Sequence, residues 1–127
     1  MAKTNILYVE DDHDNRNAIS ELFPVIFDCT LDTAENGLEG VEKALTNEYS
    51  VIIMDVGLPD INGIEAARRI KAQKPKQVIV CSSGHACLPE DTPAGTFDGN
   101  FCKPLAAKLK EFQMFCVSIG VDLVELQ

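Results

Sequence analysis

Residues 51–60 read VIIMDVGLPD: four apolar residues, an aspartate at position 55, then a break marked by Gly57 and Pro59. A short, continuously apolar run bounded by turn residues predicts a strand buried on both faces. Such a strand belongs to the middle of a parallel sheet covered by helices. A carboxylate at its tip sits where a sheet of this kind meets solvent, and this decides how the rest of the chain is read.

Working outward, the same alternation repeats. NILYV (5–9) is a second buried strand, ending in Glu10 and Asp11. Ile19, Leu22, Phe23 and Ile26 follow at helical spacing, with Asp12 or Asp14 able to cap the start. Pro24 lies inside that stripe and removes a backbone donor, so the helix is expected to kink or stop near Phe23. CTLDTA (29–34) alternates as a strand, ENG turns the chain, and Leu38, Val41 and Leu45 mark a second helix. After the loop VGLPDING, a third helix is expected from about 64 to 72, with Ile64, Ala67 and Ile70 or Lys71 around its inner edge. VIVCS (78–82) and NFC (100–102) are the fourth and fifth strands. Leu105, Leu109, Phe112 and Cys116 mark a last helix.

Strands and helices in alternation predict an α/β domain, a parallel sheet with helices on both faces joined by right-handed crossovers. The 127 residues fit one domain, 1–127. Ligands of such folds bind beyond the carboxyl ends of the strands, where strand order reverses.

Composition narrows what that ligand is. With 20 Asp plus Glu against 11 Lys plus Arg, the net charge of -9 disfavours nucleic acid and anionic lipid as direct partners. No apolar run approaches the roughly 18 residues of a membrane helix, and MAKTNILYVEDD lacks the core of a secretory signal, so a cytoplasmic location is expected. Five cysteines, at 29, 81, 87, 102 and 116, have no C-x-x-C spacing and read as reduced, space-filling thiols.

The residues at the strand ends are Glu10 and Asp11 after the first, Asp55 after the third, Ser83 after the fourth and Lys103 after the fifth. Three carboxylates together repel unless a cation intervenes, and hard oxygen ligands with room for water suit Mg²⁺. An ionised Asp55 is then an oxygen nucleophile towards a phosphoryl group whose charge the metal and Lys103 can take up. The Ser83 hydroxyl is placed to hydrogen-bond the same group.

In this order and spacing, ILYVEDDHDNR, VIIMDVGLPDINGIEAARRI, VIVCSSGHA and FCKPL resemble the receiver domain of bacterial two-component response regulators, in its single-domain, chemotaxis-receiver-like form. The resemblance covers nearly the whole chain. It implies a three-layer, doubly wound, flavodoxin-like sheet of five parallel strands in the order 2-1-3-4-5. It also implies that Asp55 accepts a phosphoryl group from a sensor histidine kinase or phosphotransfer protein. Glu10 and Asp11 match the acidic pair that holds Mg²⁺ with Asp55, and Gly57 matches the position offering a backbone carbonyl to the metal. Ser83 matches the hydroxyl residue that follows the phosphoryl group; Ser82 is its rival, but placing Ser83 there also sets Gly84 where the family wants a small residue. Lys103 matches the family lysine, and the resemblance implies a cis bond from Lys103 to Pro104. Kinase specificity is expected on the first helix around 15–22 and on the loop after Asp55.

Two departures stand out. The family couples its hydroxyl residue to an aromatic side chain three places before the lysine, which here is Asn100, with Phe101 one step later on the opposite face. CLPEDTPAGTFDGN (87–100) occupies the place of the family's fourth helix but carries Pro89, Pro93, Gly95 and Gly99, so that helix is expected to be short or irregular. His13 and His85 read as solvent-facing residues. Only GVDLVELQ follows the last helix; for a complete chain, output to an unknown downstream protein is expected to pass through protein contacts, and for an excised domain through an effector beyond it.

The alternative reading is a pseudo-receiver, an interaction module that binds a cation and partners without phosphorylation; Ser83 and Lys103 argue against it, since a cation site needs neither. A phosphatase of the haloacid dehalogenase kind would need a second Asp where Gly57 stands. A flavodoxin-like electron carrier would need a phosphate-cradling loop where EDDHD stands. The chain is therefore read as a signalling protein and not an enzyme in its output.

Overall fold

A computed structural model describes residues 4–83 and 92–126. Five parallel strands form one sheet: β1 (Thr4–Val9), β2 (Cys29–Ala34), β3 (Val51–Asp55), β4 (Ile79–Ser83) and β5 (Gly99–Cys102), in the order β2-β1-β3-β4-β5. Four helices accompany them among the described residues: α1 (His13–Ile26), α2 (Gly37–Thr46), α3 (Gly63–Gln73) and α4 (Leu109–Ser118), the last entered through a 3-10 turn at Leu105–Lys108. The strand order reverses between β1 and β3, and the acidic residues lie at that switch point.

Strand alternation divides the core in two. Ile6, Tyr8, Ile53 and Val80 pack with Ile19 and Phe23 of α1 and Phe112 and Cys116 of α4. Leu7, Val9, Ile52, Met54 and Ile79 face the other way, onto Ala44 of α2 and Ala66, Ala67 and Ile70 of α3. Every residue of β3 is buried, Asp55 included. Each fully buried aliphatic side chain contributes about 1.5–3 kcal/mol, so the strand carrying Asp55 is firmly held.

Caps start the helices where the strand-end loops deliver them. Asp12 accepts from the Asn15 amide, Asn36 from Glu39 and Asn62 from Glu65, each at 2.8 Å, which resolves the choice between Asp12 and Asp14.

Of the two outcomes expected at Pro24, α1 does not stop at Phe23: Pro24 is exposed, and the Phe27 amide bonds the Phe23 carbonyl at 2.8 Å, so helical bonding resumes one turn on. One expectation needs correction. Leu38 does not face the core; it is 52% exposed. The buried stripe of α2 is Gly37, Gly40 and Ala44, because a Cβ at Gly40 would stand 2.8 Å from Val9 and only a small-residue face lets the helix come so close to β1. The chain after α4 packs back onto the domain. Leu123 is buried in the α1/α4 core, Phe27 bridges Glu125, and the Leu126 amide bonds the Ile26 carbonyl at 2.7 Å.

Residues 92–98 carry no helix and are tied to the sheet by Asp98, whose carboxylate accepts from the Ile79 amide and from Lys71, both at 2.9 Å. The expected irregularity of the fourth helix holds for these residues, while its remaining positions, with His85 and Cys87, lie outside the described residues. Cys29, Cys81 and Cys116 are buried, and burial pushes the Cys116 thiol up to about 12, which keeps it protonated and unreactive.

Candidate functional site at the strand ends

Glu10 continues β1 by one residue, and its amide bonds the Ala34 carbonyl at 3.0 Å. Its side chain is wholly buried, yet every oxygen has a donor: Oε1 takes the Tyr8 hydroxyl at 3.1 Å and the Lys103 ammonium at 2.8 Å, and Oε2 takes the Asp12 amide at 3.2 Å. Burial first, then Glu10, raises the pKa of the Tyr8 phenol, so Tyr8 remains a donor. Asp11, next in the chain, is exposed.

Asp55 closes β3 and is 4% exposed. The Gly57 amide donates to its Oδ1 at 3.2 Å, and Lys103 Nζ stands 3.3 Å from its Oδ2. Burial pushes the Asp55 carboxyl up to about 7 and Glu10 beside it adds to the rise, while Lys103 and the Gly57 amide pull it down. Burial also pulls the Lys103 ammonium down, but its bonds to Glu10 and Asp55 outweigh this and hold it above the usual lysine range. One cation thus serves two buried carboxylates.

Carboxylate oxygens of Glu10, Asp11 and Asp55 all lie within 4.8 Å of one another. All three are hard oxygen donors, one of them open to solvent, and one lysine leaves them with excess negative charge. That donor set fits Mg²⁺, with room for water on the Asp11 side.

The predicted residues Glu10, Asp11, Asp55, Gly57 and Lys103 therefore converge. Gly57 touches Asp55 through its amide. The peptide bond from Lys103 to Pro104 is cis. Ser83 ends β4 at the same end of the sheet, and its side chain lies outside the described residues.

Four contributors escape a reading of strand ends alone. Arg16 donates to the carbonyls of Glu10 at 3.0 Å and Asp11 at 3.2 Å and pairs with Glu35, clamping the turn that presents both acids. Tyr8 is two residues before Glu10 and so shares its face, which alternation could have signalled. Gly63 lies so close to Asp55 that a Cβ there would stand 2.2 Å from the Asp55 carbonyl oxygen. Ser82, the Cα partner of Asp55 in the β3–β4 register, is wholly buried, and its hydroxyl has no hydrogen-bond partner.

A family model, the response regulator receiver domain, matches residues 6–96. The chain belongs to the response regulator receiver domain family. Among curated relatives, the response regulator ArlR of Staphylococcus haemolyticus is 38% identical over 80 residues, 63% of this chain and 36% of that protein. ArlR of Staphylococcus aureus matches to the same extent, so this receiver spans little more than a third of the curated relatives it matches.

Solved receivers share the fold over most of the chain. The chemotaxis response regulator CheY4 of Vibrio cholerae superposes with a TM-score of 0.79 at 24% identity, covering 90% of this chain and 99% of its own. The response regulator TrrA of Thermotoga maritima, in complex with Mg(2+)-BeF, superposes with a TM-score of 0.72 at 27% identity, covering 85% and 97%. This receiver is accordingly a domain of two-component signalling, and among the described residues no helix is long and apolar enough to cross a membrane.

Proposed function

We propose that residues 1–127 form a phospho-accepting switch whose acceptor is Asp55. The observation that carries this is the Lys103 ammonium held between Glu10 Oε1 and Asp55 Oδ2, with Asp11 open to solvent beside them. A structural carboxylate has no use for a second buried acid; a nucleophile that must gain and lose a doubly charged group does.

Glu10, Asp11 and Asp55, with the Gly57 carbonyl, are the residues that would hold Mg²⁺. When bound, the ion screens the incoming phosphoryl group and keeps Asp55 ionised. An Asp55 oxygen forms a bond to phosphorus as the bond to the donor breaks, and the departing donor keeps that electron pair. Lys103 moves with the transferred charge, and the Ser83 hydroxyl donates to a phosphoryl oxygen. The Gly57 amide keeps hold of the carboxyl group and fixes which oxygen faces outward. Water later attacks phosphorus and returns the carboxylate. The donor is a sensor histidine kinase or phosphotransfer protein in the cytoplasm, and a protein partner reads the shifted conformation. The TrrA complex with Mg(2+)-BeF supports the metal assignment in a relative of the same fold.

The test is intact-mass analysis after incubation with Mg²⁺ and acetyl phosphate. One added phosphoryl group, abolished by a chelator and by Asp55→Asn, is the expected result. An unlabelled wild-type protein would leave the pseudo-receiver as the better reading.

A further inference from the structure

Two donors of different kinds meet on one oxygen of the buried Glu10 carboxylate. Oε1 accepts from the Tyr8 hydroxyl at 3.1 Å and from the Lys103 ammonium at 2.8 Å, while Oε2 accepts from the Asp12 amide at 3.2 Å. Among the described residues, Tyr8 and Lys103 are the donors to Oε1. Tyr8 is carried by β1, and its ring belongs to the α1/α4 core with Phe23, Ile53 and Phe112. Its phenol offers one proton and no charge. Lys103 follows the end of β5, keeps 22% of its side chain exposed and also stands 3.3 Å from Asp55 Oδ2. One donor is fixed, and the other is shared.

The proposed transfer makes that difference matter. When Asp55 takes up a phosphoryl group, Lys103 moves with the charge and its hold on Glu10 weakens. A buried carboxylate oxygen stripped of its donors is costly, so with Lys103 alone on Oε1 that cost would oppose the movement. Tyr8, held by its ring, keeps Oε1 bonded throughout. A buried tyrosine that needed only a partner for its own hydroxyl could use any backbone carbonyl in reach. This one is aimed at the oxygen that Lys103 must leave.

We propose, resting on the reading of Asp55 as acceptor, that Tyr8 is a positioning residue for phosphoryl transfer: its hydroxyl stays on Glu10 Oε1 and so releases Lys103 to the phosphoryl group. No covalent bond to Tyr8 is made or broken. Its hydrogen bond is present before and after transfer, but it strengthens as Lys103 withdraws, because a carboxylate relieved of its ion pair is the better acceptor. An interaction that is stronger on the way to the adduct than in the resting site speeds loading.

The experiment has two arms. Urea unfolding without metal compares wild type, Tyr8→Phe, Lys103→Met and the double variant, with Lys103→Met standing in for a site whose lysine has left Glu10. In the wild-type background Tyr8→Phe leaves Oε1 its ammonium and should raise the unfolding constant about threefold. Beside Lys103→Met it removes the remaining donor of the two and should raise that constant about thirtyfold. A double variant that does not fold, where both single variants do, is the same result at its extreme. The second arm labels Tyr8→Phe with acetyl phosphate at saturating Mg²⁺. The maximal rate should fall about three- to tenfold, with the half-saturating acetyl phosphate concentration within about twofold of wild type. Equal effects of Tyr8→Phe in the two backgrounds, or loading of Tyr8→Phe at the wild-type maximal rate, overturns the role of Tyr8 and leaves the acceptor reading standing. A wild-type protein that never loads overturns the acceptor reading and this inference with it.

Discussion

Asp60 reaches from the loop behind the candidate acceptor to the start of α2, where its Oδ1 accepts from the Gly37 amide, and its Oδ2 from the Leu38 amide, at 2.8 Å each. It thus serves as a cap for a helix 22 residues before it in sequence. Desolvation pushes its carboxyl up, but the backbone amides outweigh it and hold the group below the usual aspartate range. Lys74, just past α3, binds the carbonyls of Ala44 and Asn47 at the other end of α2. Opposite charges thus meet opposite ends of the α2 dipole, fixing α2 to α3 and to the loop between Asp55 and Asn62.

Asp60→Ala should therefore lower unfolding free energy by about 1 kcal/mol, and Asp60→Asn by less, as measured by urea denaturation at pH 7. The carboxyl is lowered in the folded state, so the difference is complete above the ordinary aspartate pKa and shrinks as pH falls below it. An Ala variant as stable as wild type would mean that solvent replaces both bonds without cost.

Gly63 is a harder constraint. A Cβ there meets the Asp55 carbonyl oxygen at 2.2 Å, its carbonyl carbon at 2.9 Å and the Val56 Cα at 2.9 Å, all backbone atoms that cannot swing aside. Gly63→Ala should cost on the order of 3 kcal/mol and displace the end of β3. Melting temperature reports the first effect and the acetyl phosphate labelling rate the second. A variant that melts within 1–2 degrees of wild type would show the loop to be soft.

Lys103 is the cation facing Glu10, which is wholly buried. Lys103→Met leaves that carboxylate with neutral donors only. The partial exposure of Lys103 discounts the cost to about 2 kcal/mol, and Mg²⁺ should restore much of it by supplying charge from the Asp11 side. Unfolding of the variant with and without Mg²⁺ measures both quantities; a variant insensitive to the ion would place the metal elsewhere.

The Asp55 carboxyl, pushed up to about 7, gives a pH signature. The raised pKa means that the folded state favours the protonated form. That stability is complete below about pH 4, the unfolded aspartate value, and is lost as pH rises through about 7. Without metal, Asp55→Asn should match wild type in acid and exceed it by about 1–3 kcal/mol at pH 8. Mg²⁺ should raise the wild-type melting temperature more at pH 8 than at pH 6 and leave Asp55→Asn nearly unmoved. Identical pH profiles for the two proteins would contradict the burial argument.

What was legible in the sequence were features set by short-range pattern. Apolar runs with an acid, a serine or a lysine at the end give the strands and the convergence of Glu10, Asp11, Asp55, Ser83 and Lys103 at one end of the sheet. Features decided by tertiary contact were not. Leu38 has the apolarity of a core residue, but the close approach of α2 to β1 selects Gly40 for that face. Pro24 is a helix breaker that survives because one lost bond in a last, exposed turn is outweighed by burial of Phe23 and Phe27 on either side. The bond from Asp60 to α2 spans elements whose spacing no local periodicity records. That Ser82 stands opposite Asp55 is visible only with the β3–β4 register.

The central claim is that Asp55 carries the phosphoryl group, and borohydride trapping tests it most directly. Protein incubated with acetyl phosphate and Mg²⁺ is reduced, which converts an aspartyl phosphate to homoserine, and the peptide covering residues 51–60 is sequenced by mass spectrometry. Homoserine at position 55, absent when Mg²⁺ is chelated, is the predicted result. Homoserine at Glu10's neighbour Asp11 or at any other aspartate, with position 55 intact, would contradict the account.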